Sequence, residues 1–186
     1  MPGSGHPKKG LLAMVNPDRP IVSRRRKPIS QGAVKGHTVT RYKLRLVKED
    51  EETVGEPETL VRPVGMAAFL WNRVFDGLDR EVVCGAYVDG MSRVIGWTIA
   101  YVGCLSRCSV EPRGLIVPAL LANASGVIIA HNHPSGKLEP SAEDLFFTRR
   151  MVPACELLGL ELIDSLIIAE GRPAPRWTSL KTVMGW

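Results

Sequence analysis

Two histidines one residue apart, His131 and His133, followed by Ser141 and Asp144, are the residues of this 186-residue chain whose types and spacing can do chemistry. In an extended segment residues i and i+2 point the same way, so the two imidazoles converge on one side while Asn132 points away. Two neutral imidazoles and one carboxylate suit zinc. Three such ligands leave the fourth tetrahedral position for water, as in hydrolytic rather than structural sites. Taken singly, the residues have plainer readings: Ser141 with Asp144 three residues later is a helix N-cap with an acid in the first turn, and a lone histidine at a strand end is commonly structural. The combination carries the weight, because His-x-His-x7-Ser-x2-Asp arises by chance on the order of once in several thousand chains of this length.

These residues need elements to hold them. Gly126-Val127-Ile128-Ile129-Ala130 is apolar on both faces, as expected of a central strand covered by helices, and it ends at His131. Open α/β folds place ligand sites at that carboxyl end. The loop from Pro134 to Pro140 is rich enough in Pro and Gly to reverse the chain. Ser141 then starts a helix to about Leu158, Gly159 stops it, and Leu160 to Ala169 forms a further buried strand.

Upstream, Met66, Leu70, Val74 and Leu78, joined by Phe69, recur at helical steps after Arg62-Pro63 and predict a packing helix. Glu81 through Val88 reads as a strand, Asp89-Gly90 as a hairpin turn, and Val94 to Val102 as its return. Pro112 opens a helix to about Asn123, in which Gly114 and Pro118 predict a kink or a late start. From His37 the residues Val39, Arg41, Lys43 and Arg45 alternate with Thr40, Tyr42, Leu44 and Leu46, the period of a half-buried strand, which Glu49-Asp50-Glu51-Glu52 ends.

Composition bounds the rest. The length fits one domain of residues 37–186 behind a tail of residues 1–36, which is rich in Gly, Pro, Ser and Lys/Arg and lacks the apolar surface to order itself. Residues 1–48 carry about 12 Lys and Arg against one acid, Asp18, so the positive net charge belongs to the tail. Such an arm binds nucleic acid or an acidic partner by counterion release, or stays solvated; no aromatic residue interleaves its charges for base stacking. No apolar run approaches the roughly 18–20 residues that cross a bilayer, and no secretory signal is evident, so a cytoplasmic address and no membrane partner are expected. Cys84, Cys104, Cys108 and Cys155 lack paired CxxC spacing and read as reduced, mostly buried thiols; a lone C-x3-C is a weak metal or pairing signal. Oligomeric state is not legible.

The pattern His131-x-His133-x7-Ser141-x2-Asp144 resembles the JAMM motif of JAB/MPN metalloproteases. His131-Asn132-His133-Pro134-Ser135-Gly136, then Pro140-Ser141, Asp144 and Thr148, resemble its RadC-like branch, as do Gly103 and Val110-x-Pro112-Arg113. The likeness runs from about Val61 to Leu180. It implies an α/β fold, a cytidine-deaminase-like mixed sheet flanked by helices, with His131, His133 and Asp144 as ligands of Zn2+. It also implies that Glu81 acts as general base on the zinc water, and that Ser141 steadies the oxyanion while capping its helix. Glu81 is otherwise an ordinary acid opening a strand. Ser165 stands where RadC-like sequences often carry a histidine, and the first 60 residues show no helix-hairpin-helix pattern.

The leading expectation is a zinc metallohydrolase acting on a peptide, isopeptide or related amide bond. The alternative is a DNA-associated repair or mobile-element accessory protein whose metal site is structural or vestigial. A ββα-metal nuclease is disfavoured, because the residue types of that motif are spread over a longer stretch.

Overall fold

In a computed structural model, residues 46–49, 61–103 and 110–186 are described. The tail expected over residues 1–36, most of the strand expected from His37, and Cys104 and Cys108 lie outside them. Leu46 to Glu49 are exposed and carry no strand, so the expected strand is not found at its described end.

The elements run α1 (Pro63–Leu70, continued by a π-helical turn Trp71–Phe75), β1 (Val82–Val88), β2 (Val94–Val102), α2 (Arg113–Leu121), β3 (Gly126–Asn132), α3 (Ala142–Leu157), β4 (Glu161–Ala169), β5 (Arg176–Ser179) and α4 (Leu180–Met184). The strands form one sheet in the order β2-β1-β3-β4-β5. β3 and β4 are parallel and the other three neighbouring pairs are antiparallel. This is the mixed sheet flanked by helices that the sequence implies.

Strand alternation feeds two apolar layers. Ile128 and Ala130 of β3, with Cys84, Ala86 and Val88 of β1, pack with α1 residues Met66, Phe69 and Leu70. Val127 and Ile129, with Val83 and Tyr87, pack with Leu115 and Ile116 of α2 and Met151 and Cys155 of α3. A central strand must therefore be apolar on both sides. Gly85 lets α2 approach β1, since a Cβ there would lie 2.8 Å from a methyl carbon of Leu115.

Four local details differ from expectation or escape it. The first helix ends at Phe75 rather than reaching Leu78, because it widens into the π turn closed by Asp76 N–H to Trp71 C=O at 2.9 Å, which turns both Val74 and Phe75 inward. α2 starts directly after Pro112, which caps it, so Pro118 removes one helical hydrogen bond without delaying or ending the helix. The β1–β2 hairpin forms, but Ser92 and not Gly90 takes the left-handed conformation (φ 59°). Asp89 Oδ1 instead accepts from Met91 N–H and Arg93 N–H, spreading the turn over a longer loop. β5 and α4 carry no sequence signal recognised above.

Cys84 and Cys155 are free thiols in the core. Burial raises both above the ordinary range, Cys155 to about 11, which keeps them protonated and inert. Among the described residues, no helix is long and apolar enough to cross a membrane.

Candidate metal centre

His131 follows Val127 and Ile129 on the same face of β3, so its ring projects toward α3. On α3 the buried positions Asp144, Thr148, Met151 and Cys155 form one stripe, which brings a carboxylate inward where an apolar residue would otherwise sit. His133 lies just beyond the strand end and repeats the direction of His131. Glu81 stands one residue before β1 and reaches the same point from the neighbouring strand. Sequence spacing alone joined three of these; the β1–β3 pairing brings the fourth.

One donor atom from each of Glu81, His131, His133 and Asp144 lies within 4.8 Å of the others. His131 Nε2 is 3.2 Å from His133 Nε2 and 3.2 Å from Asp144 Oδ1, and His133 Nε2 is 3.4 Å from Asp144 Oδ2. Zinc bonds of about 2.0–2.1 Å in a tetrahedron separate their ligand atoms by about 3.3 Å. The two edges that meet at His131 Nε2 match that spacing, and His133 Nε2 makes its contact with the other carboxylate oxygen of Asp144. Glu81 Oε1 stands farther out, 3.9 Å from His133 Nε2, and both these side chains are 15% exposed against 6% and 3% for His131 and Asp144. Solvent thus reaches the centre on the Glu81 side.

The surroundings prepare the donors. His133 Nδ1 donates to Lys137 C=O at 3.0 Å, which in the neutral ring leaves the Nε2 lone pair facing the cluster. Asp144 closes a reciprocal cap on α3: its N–H donates to Ser141 Oγ, while its Oδ2 accepts from Ser141 N–H at 2.8 Å and Ser141 O–H at 2.7 Å. The capping role and the cluster role are compatible, since Oδ1 faces His131 free of the cap, while Oδ2 takes the cap and also lies 3.4 Å from His133 Nε2. Burial pushes the Asp144 carboxyl up, but the imidazoles of His131 and His133 and the Ser141 hydroxyl outweigh it and hold it well below the usual carboxylate range. The Asp144 carboxylate in turn raises the His133 imidazole against the opposing effect of burial.

The sequence of residues 61–183 matches the RadC-like JAB domain. The chain belongs to that family. A UPF0758 protein of Aquifex aeolicus (strain VF5) is 44% identical over 93 residues, covering 50% of this chain and 40% of that relative. The chain thus matches less than half the length of this curated relative. As a RadC-like JAB domain it carries a Glu/His/His/Asp group able to hold a metal ion.

Three supporting residues escaped the sequence reading. Asn132, set aside as pointing away from the cluster, is buried and hydrogen-bonded to β1. Lys137 contributes its backbone carbonyl rather than its charge. Arg176 donates to Gly136 C=O at 3.1 Å and Glu170 C=O at 2.9 Å, tying the loop after His133 to the sheet edge. Only Asn132 offered a signal, a polar residue at the end of a buried apolar run. Beside His133 opens a cleft of about 570 Å³, with Trp71, Phe75, Pro134 and Arg172 in its walls.

Proposed function

We propose that this chain is a zinc hydrolase of the JAMM type that cleaves a peptide, isopeptide or related amide bond. The observation that carries the reading is the gathering of two imidazole nitrogens and the Asp144 carboxylate at 3.2–3.4 Å from one another, with a second carboxylate standing just outside them. His131 Nε2, His133 Nε2 and Asp144 Oδ1 would hold the ion. Bound zinc supplies Lewis acidity, bringing the pKa of a coordinated water toward about 7 and polarising a carbonyl.

Glu81 Oε1 takes the proton of the attacking water and returns it to the departing amine. Its place on the solvent side, 3.9 Å from His133 Nε2, would put it within reach of a coordinated water. Ser141 has its hydroxyl proton on Asp144 Oδ2 at rest, so turning it to a developing oxyanion exchanges one hydrogen bond for another. The cleft beside His133, whose walls include none of Glu81, His131, Ser141 or Asp144, would receive only a part of the substrate remote from the reacting bond.

The test is metal analysis with a peptide-hydrolysis screen on wild type, His133→Ala and Glu81→Ala. Loss of zinc in His133→Ala, and retention of zinc without turnover in Glu81→Ala, is the expected pattern. Equal metal in all three would remove the ligand assignment. The basic charge of residues 1–48 supports nucleic acid as a further partner. Salt-dependent DNA affinity that disappears on deleting residues 1–36 is its test, and no binding at low salt would exclude it.

A further inference from the structure

Backbone pairing between β1 and β3 ends at Val83 opposite His131. One residue further, the side chain of Asn132 replaces the missing strand. Its Oδ1 accepts from Val82 N–H at 2.8 Å, and its Nδ2 donates to Arg80 C=O at 3.0 Å. One partner can only donate and the other only accept, so the orientation of the amide is dictated. The two bonds bracket Glu81. On the opposite edge of β1, Gly103 N–H donates to Glu81 C=O at 2.8 Å. The backbone of Glu81 is thereby pinned from both sides at the point where an unpaired strand end would fray.

We infer that Asn132 is a positioning residue for Glu81: its amide extends the sheet by one peptide equivalent and holds that carboxylate beside the metal donors. The inference rests on the hydrolase reading of the same site. A single strand end then does two jobs by parity, presenting the imidazoles of His131 and His133 on one face and anchoring the base from the other. His131 and the base are thereby fixed to one sheet end, while His133 and Asp144 are set by the loop and helix that follow. An error of about 1 Å in such a placement can cost about 100-fold in rate, which is the scale of effect Asn132 guards against.

The experiment uses the full chain loaded with cobalt(II) and labelled with 13C at glutamate carboxyls, with Glu81→Gln assigning the resonance. Wild type is compared with Asn132→Ala, which removes both bonds, and Asn132→Asp, which keeps the acceptor for Val82 but sets a carboxylate against Arg80 C=O. The expected result is one cobalt per chain throughout, with a large paramagnetic shift of the Glu81 carboxyl carbon in wild type that collapses in both variants. Exchange of the Val82 amide should rise about tenfold or more in Asn132→Ala, the loss of one buried hydrogen bond. An unchanged Glu81 shift in a folded variant overturns the inference while leaving the hydrolase reading intact. A wild-type Val82 amide that exchanges like an unprotected one overturns it without any variant. Failure of wild type to take cobalt instead sinks the hydrolase reading, and the positioning role falls with it.

Discussion

Asp144 and Asp164 are both buried carboxylates that accept a hydrogen bond from a serine N-cap, Ser141 for α3 and Ser179 for α4, yet they are finished differently. Around Asp164, Oδ1 accepts from Ser165 N–H at 2.7 Å, Ser179 O–H at 3.0 Å and Lys181 N–H at 3.2 Å, and Oδ2 accepts from Ser179 O–H at 2.8 Å. Its neighbours are donors. Asp144 has its Oδ2 satisfied by the cap, while its Oδ1 faces an imidazole nitrogen 3.2 Å away and a second imidazole stands beside it. Imidazole nitrogens release protons readily and present lone pairs to a cation. The same cap thus serves a closed structural carboxylate in one place and an open, ion-ready one in the other.

The strongest way to break this contrast is to truncate each acid. Asp144→Ala should abolish metal retention and hydrolysis, while losing about 1–3 kcal/mol of stability, because Ser141 N–H and O–H are left without their acceptor. Asp164→Ala should lose about 3 kcal/mol, because Ser179, Ser165 N–H and Lys181 N–H are left without their acceptor, yet keep metal in the folded fraction. Thermal melts with metal analysis distinguish the two patterns; a stable, metal-free Asp164→Ala would reverse the assignment.

Next in size is Glu81→Ala. It should leave zinc content unchanged and reduce turnover by on the order of 10²–10⁴-fold, the range for a general base. Retained turnover would make the open centre one that works without this carboxylate. A smaller effect is expected of Arg176→Ala, which frees the loop whose Lys137 carbonyl sets the His133 tautomer. Zinc affinity, read by competition with a chromogenic chelator, should weaken by about 10-fold. No change would show that the loop holds His133 unaided.

The smallest effect concerns the metal-free protein and pH. The raised His133 pKa means that its charged pairing with Asp144 stabilises the fold fully below the ordinary histidine value of about 6.5. That contribution is lost as pH rises through the raised folded value. The lowered Asp144 pKa contributes above the ordinary carboxylate value of about 3.9 and is lost as pH falls through the depressed one. Melting curves of chelator-treated protein should therefore soften on the alkaline side in wild type and not in His133→Ala.

The sequence exposed β1 to β4 and α3 because each is long enough to show its period or is bounded by strong punctuation. Gly159, at φ 70°, closes α3 with Leu160 N–H to Cys155 C=O at 2.9 Å, as its placement predicts. β5 was illegible because its four residues, two exposed, one half-buried and one buried in succession, give no alternation. The π turn after α1 was illegible because its hydrophobic spacing is also that of an ordinary helix. The inner donors were legible through local spacing, since a strand end and a helix start fix their directions. Asn132 was not, because both its partners lie about 50 residues away, and only the pairing of β1 with β3 brings them to it.

The most direct test of the central claim is zinc K-edge absorption on the zinc-loaded full chain. A shell of nitrogen and oxygen at about 2.0–2.1 Å is expected, with imidazole scattering from two rings that falls to one ring in whatever zinc His133→Ala retains. A sulfur shell at about 2.3 Å, unaltered by His133→Ala, would place the ion at cysteines and contradict it.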